Sequence, residues 1–226
     1  SSGFGSWQNV LNSHFDVNDN GQNDGSQGVM HMYSHDNGSA GNGGSNPPLP
    51  GPEMYGLPQH AYMLMRPGVS IIYHNGREAE EFFPNRGFWP REGNPTALGS
   101  PNDDLVELVR ISNGYARGEL GILNPGAITD VLVYERRTAL GGGQFIGNVL
   151  VGVNDRYDNG VQTRTVTTSF APGTRLRELT GNADDALVDA SGQVPNLLIV
   201  NGSRQVTITV PNNRNSGGVA HHKGYV

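Results

Sequence analysis

Hydrophobic positions change their period midway along the chain. In "SWQNVLNSHF" (6–15), Trp7, Val10, Leu11, His14 and Phe15 fall at i, i+3, i+4, i+7 and i+8. That spacing is one face of a helix, with Ser6 placed to cap it. "GVMHMY" (28–33) is short, apolar and bounded by glycine, as a buried strand is. "PQHAYMLMRPG" (58–68) reads as a short helix stopped by Pro67–Gly68, and "VSIIYHN" (69–75) as a second buried strand. In "SPNDDLVELVRISNGYARGE" (100–119), Ser100 caps, Pro101 suits the first helical position, and Asp103 and Asp104 suit the positive helix end. Leu105, Leu108 and Val109 supply its buried stripe.

This first part therefore alternates helix and strand, a pattern of parallel strands with crossover helices. From about residue 127 the period becomes two. "AITDVLVYER", "NVLVGVNDR", "VQTRTVTTSF", "TRLRELTG", "ALVDASG", "NLLIVNG" and "RQVTITVP" are short strand candidates separated by turn residues. In the last, Val206, Ile208 and Val210 share one face, and Gln205, Thr207 and Thr209 the other. Such strands predict an antiparallel sandwich. The expected fold class is α/β plus all-β, with the join near residues 120–127.

Composition narrows the function. The 226 residues include 33 Gly and 14 Pro, with 16% charged, the profile of a turn-rich protein. The net charge of −6 has no basic stripe behind it, which speaks against a nucleic-acid partner. No apolar run approaches the roughly 20 residues of a membrane helix, so a membrane partner is not expected. With no cysteine there is neither disulfide nor thiolate chemistry. The opening "SSGFGSWQNV" lacks the basic start and apolar core of a signal peptide.

Candidate chemistry centres on His35–Asp36, where the 28–33 strand gives way to the glycine-rich "NGSAGNGG". The pair reads either as a turn, Asp36 bonding its own backbone, or as a functional pair on a strand-end loop. A second candidate is "DVNDNGQNDGSQ" (16–27). Asp16, Asn18, Asn20, Gly21 and Asp24 take positions 1, 3, 5, 6 and 9 of a calcium loop, but the twelfth is Gln27 rather than a bidentate Glu. The segment is either a Ca2+ site or an Asx-rich turn. His74, His221 and His222 have no acidic partner spaced for a metal. Phe88–Trp89 could stack on a flat ligand or fill a core.

These segments together resemble a known family. "VMHMYSHDNG" resembles the fourth conserved region of the alpha-amylase superfamily (glycoside hydrolase family thirteen), where His-Asp closes the seventh barrel strand. "AYMLMRPGVSIIYHNGRE" is similar to that family's eighth-strand signature, and "DDLVELVRISNGYARGEL" to the final barrel helix with its arginine. The run "NVLVGVNDR … PGTRLRELTGNA … VDASGQVP … VTITVPNNR" resembles the β-sandwich that follows the barrel. "YHNGRE" carries one more residue between Tyr73 and Gly76 than most members have, and no segment matches the motifs that hold the nucleophile Asp and the acid Glu.

The resemblance implies a C-terminal portion of a (β/α)8 barrel over residues 1–122, followed by an antiparallel β-sandwich over 123–226. It implies a retaining enzyme acting on α-glucosidic bonds, with an α-glucan or oligosaccharide as partner. Asp36 would be the transition-state stabiliser, with His35, Asn37 and Tyr73 binding the sugar. The chemistry requires no cofactor; Asp16, Asn18, Asn20 and Asp24 would at most hold Ca2+. The chain alone would be inactive, and an extracellular setting is expected. The alternative is a non-catalytic extracellular carbohydrate-binding or structural sandwich module, with His35–Asp36 as a turn.

Overall fold

A computed structural model describes Trp7, Leu11, residues 52–68, 70, 104–126, 128–214, 217–218, 221 and 223–226. Within them lie two helices and seven strands, α1 (Pro52–Met65), α2 (Asp104–Tyr115), β1 (Glu119–Ile122), β2 (Val131–Gly141), β3 (Gln144–Asn154), β4 (Val161–Thr167), β5 (Arg175–Arg177), β6 (Leu197–Ile199) and β7 (Gln205–Pro211). Every strand pairing in these sheets is antiparallel: β1-β2-β3 in one sheet, β4-β7 and β5-β6 in two others. The strand expected at 28–33 and all but Ser70 of the one expected at 69–75, and with them the parallel part of the expected fold, lie outside the described residues.

β2 explains how the layers stack. Val131 through Arg136 are buried one after another, without alternation. Continuous burial means that both faces of the strand are covered. Leu132 and Tyr134 enter a cluster with Trp7, α1 and α2, whereas Val131 and Val133 enter another with Val166, Val206, Ile208 and Val210. The β1-β2-β3 sheet is thus a middle layer, with helices on one side and the β4-β7 pair on the other. Glu135 and Arg136 continue the buried run because both are fully partnered. The Glu135 carboxylate accepts from the Ser169 backbone N–H at 2.9 Å and from the Ser169 hydroxyl at 2.5 Å.

The helices follow the sequence pattern with two differences. α1 begins at Pro52, six residues before the expected start, and runs through Pro58. Its last turns are buried all round, from His60 to Met65, as the unbroken apolar run requires. In α2 the buried stripe is Leu105, Leu108 and Ile111, with Val109 only partly buried beside it.

Of the sandwich strands, β7 buries Val206, Ile208 and Val210 and exposes Gln205 and Thr207 as expected, but Thr209 on the polar face is buried as well. "ALVDASG" forms turns instead of a strand. The reason is local: Asp185 accepts the Leu187 N–H at 2.8 Å, and Asp189 accepts those of Gln193 and Val194 at 2.9 and 2.6 Å. Aspartates that bond backbone a few residues on give the chain an alternative to a ladder. The β2–β3 turn is made by Gly142 and Gly143, both at positive φ (59° and 76°), the geometry of a tight two-residue hairpin. The chain end joins β3 through an antiparallel bridge from Tyr225 to Val153.

Candidate functional site

All the residues singled out for sugar chemistry (His35, Asp36, Asn37 and Tyr73) lie outside the described residues, as do Asp16, Asn18, Asn20 and Asp24 of the calcium-like loop. So do His74, His222, Phe88 and Trp89. What is described is the frame between them in sequence, α1, and the sheet that holds it.

The C-terminus of α1 is fastened from three directions. A helix leaves its last carbonyls without intrahelical donors. Here the Ser70 hydroxyl donates to Met63 O at 3.1 Å, the Ser112 hydroxyl to Leu64 O at 2.6 Å, and Arg136 Nη1 to Met65 O at 3.0 Å. Ser70 belongs to the segment entering the 69–75 run, Ser112 to α2 and Arg136 to β2. A cation at the negative helix end adds to the hydrogen bond. Burial pushes the Arg136 guanidinium pKa below its ordinary value, though not far enough for an arginine to lose its charge. Nothing in the sequence distinguished Arg136 from an exposed strand arginine except its place in an apolar run.

Trp7 ties the N-terminal segment to the same frame. Its indole N–H donates to Asp130 O at 3.0 Å, and its ring lies 5.5 Å from that of Tyr62. Tyr62 in turn meets Tyr134 edge-on at 5.9 Å. Tyr134 is therefore a core residue, and burial drives its phenol pKa well above the usual value.

The Asp155 backbone N–H donates to the same Asp130 carbonyl oxygen as the Trp7 indole, at 3.0 Å. Asp155 is buried, its Oδ1 has no hydrogen-bond partner among the described residues, and burial followed by the charge of Asp130 raises its pKa to about 7. Arg156 serves other acids, with Nε 2.7 Å from Asp158 Oδ2 and Nη1 3.8 Å from Asp130 Oδ2. Because the folded state holds this proton to higher pH than the unfolded chain, this group's contribution to stability is fully present below pH 3.8 and is lost as pH rises through 7. Asp155→Asn should therefore be more stable than the parent above pH 7, with the difference closing at acid pH. Urea midpoints at pH 4 and pH 8 check this; an equal difference at both pH values contradicts it.

His221 is buried, accepts the Lys223 N–H on Nδ1 at 3.1 Å, and has its pKa pushed down to about 4 by burial and by Lys223. Lys223 clasps Asp104 of α2 at 2.9 Å and Asp185 at 3.0 Å, joining the helix to the sandwich. Among the described residues no group of three or more His, Asp or Glu is arranged to hold a metal ion.

One cleft of about 720 Å3 opens between α2, β3 and the β5–β6 pair. Leu150, Leu176, Leu198 and Ile208 are among the residues lining it, as are Tyr115 and Glu178. The Glu178 carboxylate is taken up by the Thr180 N–H and hydroxyl and the Gly181 N–H, at 2.6, 2.7 and 2.8 Å. Retaining hydrolysis of a glycoside needs a pair of carboxyl groups about 5–5.5 Å apart. Among the described residues lining the cleft Glu178 carries the only acidic side chain, so these residues do not make up that pair.

No family model matches the chain, and no curated protein matches it. Among solved structures the chain is similar to wild-type alpha-amylase I from Eisenia fetida, with a TM-score of 0.44 and 16% identity over 85% of this chain and 39% of that one. It is also similar to a point mutant of alpha-amylase I from Eisenia fetida in complex with maltohexaose, with a TM-score of 0.34 and 18% identity over 70% of this chain and 26% of the other. The chain thus spans about two fifths of the first structure's length and about a quarter of the second's.

Proposed function

We propose that this chain is the C-terminal portion of an alpha-amylase-like retaining glycoside hydrolase acting on α-glucosidic bonds of glucans. The observation that carries the reading is the serial order of four segments: "VMHMYSHDNG", "AYMLMRPGVSIIYHNGRE", "DDLVELVRISNGYARGEL" and the strand run beginning at "NVLVGVNDR". Any one alone is weak, and the order is what makes them specific.

In the proposed site, Asp36 accepts hydrogen bonds from two hydroxyls of the sugar whose bond is being cleaved. These bonds strengthen as positive charge builds at the anomeric carbon, so they stabilise the transition state more than the ground state. His35 and Asn37 donate to neighbouring hydroxyls, and Tyr73 supplies a wall. None of them can attack the anomeric carbon or protonate the leaving oxygen. Those roles need two further carboxyl groups, which these four segments do not supply. Asp16, Asn18, Asn20 and Asp24 offer the oxygen donors that Ca2+ takes, and would order the loop leading to the 28–33 run.

The purified chain should therefore leave an α-glucoside reporter unhydrolysed. Turnover at an ordinary enzymatic rate, about 1 s−1 or more, would contradict the reading. One observation favours a second reading, a non-catalytic carbohydrate-binding module: Tyr115, 45% exposed, lines the cleft, where an aromatic face can stack on a sugar.

A further inference from the structure

The chain contains two Asn-x-Ser/Thr triplets without an intervening proline, Asn37-Gly38-Ser39 and Asn201-Gly202-Ser203; Asn94-Pro95-Thr96 is barred by its proline. The second lies in the described turn between β6 and β7, and its surroundings can be read atom by atom.

Residues 201–205 are all exposed. The turn is closed by Arg204 N–H donating to Asn201 O at 3.0 Å and Asn201 N–H donating to Gln205 O at 2.9 Å. Arg204 takes a left-handed conformation, with φ of 60°. The Asn201 side chain is used on one side only: Oδ1 accepts the N–H groups of Ser203 and Gln205, at 2.9 and 2.8 Å. These bonds fix the carboxamide plane. Among the described residues Nδ2 makes no hydrogen bond. The folded turn thus holds the amide nitrogen outward in solvent, two residues from the exposed Ser203.

We propose that Asn201 is an N-glycosylation site, and that the β6–β7 turn carries an oligosaccharide on Nδ2. The inference rests on the extracellular setting expected for an enzyme of the proposed function, but on nothing about glucan chemistry. The donor would be an oligosaccharide linked to a lipid through a diphosphate. Nδ2 forms a bond to the anomeric carbon of the donor sugar, and the bond from that carbon to the diphosphate oxygen breaks. The lipid diphosphate leaves with the electron pair, and the amide nitrogen gives up one proton to a base of the transferase. No oxidation state changes.

The same Asn-Gly-Ser order also suits a tight turn, where Asn at the first position bonds backbone ahead of it. Two variants separate turn from acceptor. Asn201→Asp keeps an oxygen for the Ser203 and Gln205 N–H groups but removes the acceptor nitrogen. Ser203→Ala keeps Asn201 and removes the hydroxyl that the triplet requires.

The test is to secrete the full chain from a eukaryotic host behind a cleavable leader and map the peptides of the medium fraction by mass. An N-glycan amidase treatment converts each occupied Asn to Asp. The result expected is a glycan on the peptide containing Asn201, removed by the amidase and lost completely in both variants. A secreted chain with Asn201 unmodified overturns the proposal. Occupancy of Asn37 alone also overturns it, while showing that the chain met the transferase. Glucan binding, measured separately, reports on the proposed function independently of either result.

Discussion

Gly118→Ala should lower the unfolding free energy by about 3 kcal/mol or more. Gly118 links α2 to β1 with φ of +83°, a conformation that L side chains rarely adopt. A Cβ added there would stand 2.0 Å from the Arg137 carbonyl oxygen and 2.6 Å from its carbon. Both atoms are backbone of β2 at Arg137, held by pairing with Glu119 of β1 and Gly147 of β3, so neither can step aside cheaply. The strained φ costs about 1–3 kcal/mol and forced overpacking a similar amount. The same residue's carbonyl accepts from Arg136 Nε at 3.1 Å and also from Nη2, so displacement would spread to the cap on α1. Urea unfolding of parent and variant measures it, and a change under about 0.5 kcal/mol, the usual range for surface substitutions, would contradict the argument.

The second large effect belongs to Arg136. Replacing it with Met should cost about 3 kcal/mol, because hydrogen bonds from a charged donor are worth about 1.5–3 kcal/mol each when buried partners are left bare. The carbonyls of Met65 and Gly118 would both lose this donor at the junction of helix and sheet. Arg136→Lys should not restore stability, since one ammonium cannot reproduce a planar fork reaching two carbonyls. Amide exchange should quicken at the end of α1 more than in β7, which distinguishes a lost cap from general destabilisation. Arg110→Met is the control: Arg110 pairs with Glu107 on the exposed face of α2, and its loss should leave the urea midpoint essentially unchanged. Equal effects of the two substitutions would remove the case for Arg136 as a strut.

These two residues also mark how far the sequence could be read. Alternation makes β4 and β7 legible, since it survives wherever one face is covered and the other is wet, whereas β3 is buried without a break from Val151 to Asn154. In β2 the run "VLVY" was apolar throughout, and the continuation of burial into Glu135 and Arg136 depends on partners far away in sequence, Ser169 for one and Met65 for the other. No local pattern encodes such pairs. "ALVDASG" resembled a strand because Leu187 and Val188 are apolar, but the neighbouring aspartates bind backbone and turn the chain. The sequence predicts α1 from Pro58, a residue suited to the first helical position; the helix begins at Pro52, which fits that position equally well. Ile111 displaced Val109 from the α2 stripe because the face toward α1 is set by packing, and Ser112 on that side reaches Leu64.

For the site, the legible part was a motif and its order along the chain. His35, Asp36, Asn37 and Tyr73 were chosen by resemblance, and residue types alone could not separate a sugar-binding pair from a turn. The features that sequence reading missed, Arg136 and Asp155, owe their properties to burial. Asp155 in "VNDR" has nothing unusual about it until Asp130 stands beside it.

The most direct test of the proposed function is a calorimetric titration of the full chain with maltohexaose, in parallel for Asp36→Ala and Tyr115→Ala. Loss of the charge-assisted hydrogen bonds of Asp36 should weaken binding by at least about tenfold, the equivalent of about 1.4 kcal/mol, and Tyr115→Ala should leave it unchanged. Unchanged affinity in Asp36→Ala together with loss in Tyr115→Ala would contradict the barrel reading and place sugar binding in the sandwich cleft.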